Sequence, residues 1–134
     1  MDAKAHPIIT ALLLWLLAAC SEGNQSVTEE IWSAYVNSPG NQNLEYYDLS
    51  GEIVSQGTVP ASAVGSLANG SLPAYIARYN YVENMKIGGF QQETPMTMYM
   101  YYIQNPERGK NHIAWGSKEK INRQALDGGY QGND

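Results

Sequence analysis

Nine residues, Met96 to Gln104, constrain the fold of this chain more than any other stretch. In an extended backbone Met96, Met98, Met100 and Tyr102 point one way, while Thr97, Tyr99, Tyr101 and Ile103 point the other. Both faces are apolar or aromatic, so the strand needs cover on both sides and belongs in the interior of a sheet. Asn105 to Asn111 then reads as a polar loop, and His112 to Gly116 as a strand returning beside the first.

The remaining elements follow from period and punctuation. Ser117 is placed to cap a closing helix, Lys118 to Asp127, in which Ile121, Ala125 and Leu126 form a narrow apolar face before Gly128-Gly129. Upstream, Ser26 and Glu29 make a capping box. Val27, Ile31, Ala34 and Tyr35 recur at helical spacing until Asn37-Ser38-Pro39-Gly40 stops the helix. Two short runs, Asn43 to Asp48 and Glu52 to Thr58, read as a hairpin turning through Leu49-Ser50-Gly51 with Gly51 at positive φ. Pro60 opens a brief helix bearing Ala61, Val64, Leu67 and Ala68 and ending at Asn69-Gly70. Leu72 to Val82 is extended, and a further strand returns through Lys86 to Gln91, kinked at Gly88-Gly89. No stretch has the length of a parallel crossover. The expected fold is therefore α+β: a small single domain with a mainly antiparallel sheet and two or three short helices, after an N-terminal signal peptide.

That signal peptide is read from the first nineteen residues. Lys4 and the terminal amine precede an apolar run, Ile8 to Ala19, whose twelve residues would make a helix of about 18 Å. A hydrocarbon core is about 30 Å thick, so the run is too short to span it and has the layout of a secretory signal. It ends on Leu17-Ala18-Ala19-Cys20, and Cys20 is the only cysteine in the 134 residues. This tetrapeptide resembles the lipobox of bacterial lipoproteins. The resemblance covers about the first twenty residues. It implies that the Cys20 thiol receives a diacylglycerol, that cleavage falls before Cys20, and that the freed amine is acylated, as with palmitate. A thiolate nucleophile is what such thioether formation requires. Several acyl chains anchor a protein far better than one, at about 0.8 kcal/mol per buried CH2. Ser21, where the sorting pattern would place aspartate for inner-membrane retention, implies an outer-membrane lipoprotein facing the periplasm. The organisation expected is a signal peptide over 1–19, a lipidated tether over 20–25, the α+β domain over 26–129 and a flexible tail over 130–134.

Charge and chemistry then narrow the function. Removing residues 1–19 takes away one base, Lys4, and one acid, Asp2, so the net charge of −5 stays with the remainder. That charge argues against a nucleic-acid partner and against electrostatic attraction to anionic lipid. His112 is the only histidine outside the signal segment, and no Gly-x-Ser-x-Gly elbow accompanies it. No residue set has metal-ligand spacing, no cofactor is implied, and neither glycine pair carries a Walker lysine. Carboxylate candidates are Glu29 with Glu30, Asp48 with Glu52, and Glu93, but helix-dipole and turn roles explain the first two pairs. The expectation is a non-enzyme.

Tyrosine is the unusual residue, with ten against one phenylalanine. A ring with a polar tip suits a half-exposed sheet face that contacts another protein, and it equally suits a core whose hydroxyls reach its margin. Tyr79, Tyr81, Tyr99 and Tyr101, together with Arg108 in the polar loop, are the expected protein-binding residues. The leading expectation is a lipid-anchored, non-catalytic protein-binding module. At the level of class it resembles lipoprotein inhibitors of lysozyme-like enzymes and immunity proteins against periplasmic toxins, for which an acidic surface would suit a basic target. The alternative is an accessory lipoprotein of an envelope secretion, conjugation or pilus machine, or a surface-exclusion factor.

Overall fold

The interior strand expected from Met96 to Gln104 is the second member of a five-stranded sheet. The computed structural model describes residues 22–65, 69–106 and 109–133. In chain order these form α1 (Glu22–Val36), β1 (Glu45–Pro60), a 3-10 turn (Ala61–Val64), β2 (Ser71–Ile87), β3 (Phe90–Ile103), β4 (His112–Gly116), α2 (Lys118–Asp127) and β5 (Gln131–Gly132). The sheet is antiparallel, with order β4-β3-β2-β1-β5. The α+β class is therefore as expected, with two α-helices among the described residues.

Several boundaries coincide with their sequence signals. The register of β3 on β4 pairs Tyr101 with Ala114 and Ile103 with His112. Ser117 caps α2, its hydroxyl accepting from the Lys120 amide at 3.2 Å. Helix α1 ends at Val36. There Ser38 Oγ donates to the Ala34 carbonyl and Asn41 Nδ2 to the Tyr35 carbonyl, both at 2.8 Å, so side chains take up carbonyls that the helix end leaves free.

Other expectations differ from the structure. Helix α1 starts at Glu22, so Ser26 lies inside it and is not its cap. The expected hairpin over Asn43 to Thr58 is one continuous strand, β1. Gly51 does not turn. A Cβ there would lie 2.5 Å from the Tyr79 ring, so glycine is required by close packing, and the positive φ falls on Asp48 at 55°. Gly88-Gly89 is the two-residue link between β2 and β3 and not a kink within a strand, with Gly88 at φ 59° as such a tight turn requires. The helix opened by Pro60 is a single 3-10 turn stopped by Gly65 at φ 77°, and Leu67 and Ala68 lie outside the described residues. Leu126 is 71% exposed. It follows the buried Ala125 by 100° around the helix, which turns it away from the stripe that Ile121 and Ala125 share. The segment from Tyr130, expected to be loose, contributes β5, where Gln131 and Gly132 pair with Thr58 and Gly57.

The contacts gather into two units. The first takes in Tyr79–Thr97 and the described residues up to Glu52, and the second takes in Ile53–Arg78 and the chain from Met98 onward. In the first, Thr28, Ile31 and Tyr35 form the buried face of α1 against strand tyrosines. In the second, an aliphatic core of Val59, Ala74, Ile76, Ile103, Ile121 and Ala125 packs with Tyr101.

Candidate functional site

The first unit is held by an aromatic cluster centred on Trp32. Its ring centroid lies 5.3 Å from those of Tyr35, Tyr46 and Tyr79 and 5.0 Å from that of Tyr81. Tyr79 and Tyr81, both expected at a binding face, are core residues here, 0% and 3% exposed. Their polar tips are occupied: Tyr79 OH donates to the Thr28 carbonyl at 2.7 Å, and the Tyr81 and Tyr35 hydroxyls share a hydrogen bond of 2.9 Å. Burial pushes the pKa of both Tyr79 and Tyr81 above the ordinary tyrosine value. They stay neutral and structural. Trp32 was not singled out in the sequence, although its spacing to Tyr35 places both on one helix face.

The same unit exposes a different set of apolar residues. Every position from Met85 to Glu93 is exposed, and these residues form the closed end of the β2–β3 hairpin. Ile87 and Phe90 are 65% and 63% exposed, and Met85 lies on the same arm. At the base of the arm, Asn84 is buried and its Nδ2 donates to Glu45 Oε1 at 3.2 Å, while the exposed Lys86 pairs with the same carboxylate at 3.3 Å. The direction of the arm follows from the helix. Thr28 meets Tyr79 and Tyr35 meets Tyr81, so α1 and β2 advance together towards the arm. Glu22 then lies about 9 Å the other way from Thr28, and Ile87 about 20 Å beyond Tyr81. The start of α1, two residues after Cys20, and the hairpin tip stand at opposite ends of this unit.

The second unit holds an open cleft of about 400 Å³. The 3-10 turn supplies Val64 to its wall, β3 supplies Tyr101 and Ile103, β4 supplies His112 and Ala114, and the C-terminal end of α2 supplies Gln124 and Asp127, followed by the capping Gly128. Tyr101 is 5% exposed and stacks edge-on against Tyr130, with centroids 6.1 Å apart. Its hydroxyl is buried and has no hydrogen-bond partner among the described residues. It sits 3.7 Å from where a Cβ on Gly128 would be, beside the cleft wall. Burial, reinforced by Tyr130, pushes its pKa up to about 12, so the phenol remains protonated at neutral pH. His112, expected to open the returning strand, is the first residue of β4 and half-buried in this wall.

The other expected site residues are scattered. Tyr99 is half-buried against the aliphatic core of the second unit. Arg108 and Cys20 lie outside the described residues. Glu29, Asp48, Glu52 and Glu93 are all exposed, on α1, β1 and β3, and no group of three or more potential metal ligands occurs among the described residues.

Comparison of the chain with protein-family models, with curated proteins and with solved structures gave no match.

Proposed function

We propose that this protein is a bacterial envelope lipoprotein, anchored through lipid on Cys20, whose folded part binds another protein without catalysis. The anchor rests on Leu17-Ala18-Ala19-Cys20. The binding role rests on the hairpin arm: Met85, Ile87 and Phe90 are apolar, clustered at one turn and open to solvent, whereas the core tyrosines are enclosed. An isolated two-stranded ribbon is marginal in water, and apolar side chains at its end gain stability on burial against a partner. The arm leads away from the end of α1 nearest the anchor, which suits a module that presents its contact surface to the periplasm. A chain with a charge of −5 fits a basic target, as an inhibitor or an immunity protein would meet.

Two measurements test this reading. Cys20→Ser should lose metabolic palmitate labelling and accumulate as uncleaved precursor; normal processing of that variant would refute the anchor. Capture from envelope extract should retain a protein on the wild-type chain and lose it with Ile87→Ser and Phe90→Ser combined, at an unchanged melting temperature. Undiminished capture by that variant would refute the role of the arm.

A further inference from the structure

We propose that the cleft between β3, β4 and the C-terminal end of α2 binds a small organic cation, an ammonium group carried on an apolar body. This inference is independent of the hairpin and of the protein-binding role. Three features of the second unit converge on it.

The first is shape and lining: a cleft of about 400 Å³ falls within the range of small-molecule sites, and Val64, Ile103 and Ala114 give it an apolar wall. The second is the Tyr101 hydroxyl, which is buried beside that wall without a partner. A buried hydroxyl left unpaired is costly, and a ligand donor or acceptor reaching it recovers that cost on binding. The third is charge. Of the residues lining the cleft, Asp127 carries the one negative charge and none is a lysine or arginine. Asp127 is also the last residue of α2, whose final turn contains no basic residue. The carboxylate therefore adds to the negative end of the helix dipole, where a cation is favoured and an acid is not. An ammonium seated by Asp127 would satisfy this potential, with its apolar body against the β3–β4 wall. The shared chemistry admits a free amine or the lysine side chain of a peptide.

The test is calorimetric titration of the full chain with three probes that share one ring and differ in charge: benzylammonium, benzyl alcohol and benzoate. Saturable one-to-one binding of benzylammonium is expected, with benzoate weaker by about tenfold or more. Asp127→Asn should weaken benzylammonium severalfold and leave benzyl alcohol unchanged. Gly128→Ala fits the backbone, since its methyl would meet neighbours no closer than 3.5 Å; set beside the Tyr101 hydroxyl, it should weaken benzylammonium binding while the melting temperature holds. Nα-acetyl-lysine methylamide distinguishes the sources: tighter binding than benzylammonium assigns the cation to a peptide lysine, weaker binding to a free amine. The proposal is overturned if benzylammonium fails to saturate, if benzoate binds as well, or if Asp127→Asn changes nothing.

Discussion

The two units bury tyrosine in different ways. In the first, the Tyr35, Tyr46, Tyr79 and Tyr81 hydroxyls all have partners, so the rings contribute apolar area and the tips contribute hydrogen bonds. In the second, Tyr130 reaches Ser55 and Tyr102 accepts from Asn111, but Tyr101 OH is buried unpaired at the edge of a cleft. A satisfied buried hydroxyl specifies a fold, whereas an unsatisfied one costs stability that only a ligand or a solvent contact at that place can return. The difference separates hydroxyls that help hold this protein together from one left unsatisfied beside a cleft.

The largest effect that probes this contrast lies in the aliphatic core of the second unit. Ile121 is fully buried, and Ile121→Ala should cost about 3 kcal/mol in urea unfolding through lost burial and a cavity. In the first unit the matching probe adds volume. Gly51→Ala places a methyl 2.5 Å from the Tyr79 ring and should cost about 2 kcal/mol, with a visible change in Trp32 fluorescence because Trp32 packs on that ring.

Alkaline unfolding probes the same rings through their protons. Burial holds Tyr35, Tyr46, Tyr79 and Tyr81 above the ordinary tyrosine pKa of 10.0, so the folded state keeps protons that the unfolded state releases. Stability should be level with respect to these groups below pH 10 and fall above it, by up to about 1.4 kcal/mol per pH unit for a tyrosine as enclosed as Tyr79. Tyr79→Phe should flatten that slope in a pH series of urea midpoints.

Much of the second unit was legible in the sequence because its signals are local. The alternation of Met96 to Gln104, the Ser117 cap and the glycines after Asp127 each act within a few residues; β4 and α2 appear where those signals put them, and β3 ends there but begins at Phe90, six residues before the alternation starts. Gly51 misled because its reason is a ring 28 positions away: Leu49-Ser50-Gly51 has turn composition, but the strand runs through it. Eight of the ten tyrosines lie on β1, β2 and β3, where the extended runs predict them, but the burial of those in the first unit depends on what α1 covers, and Trp32 in that cover gives only a helix-spacing signal. The cleft had no signature at all. Its walls come from segments near Val64, Tyr101, His112 and Asp127, each ordinary in isolation, and an unpaired hydroxyl becomes visible only when its neighbours are known.

Paired equilibrium unfolding of Tyr79→Phe and Tyr101→Phe tests the central contrast most directly. Removing Tyr79 OH leaves the Thr28 carbonyl without that donor and should cost about 1–2 kcal/mol. Removing Tyr101 OH deletes an unpaired buried group and should leave stability unchanged within about 0.5 kcal/mol or raise it. Equal losses from the two substitutions would contradict the account.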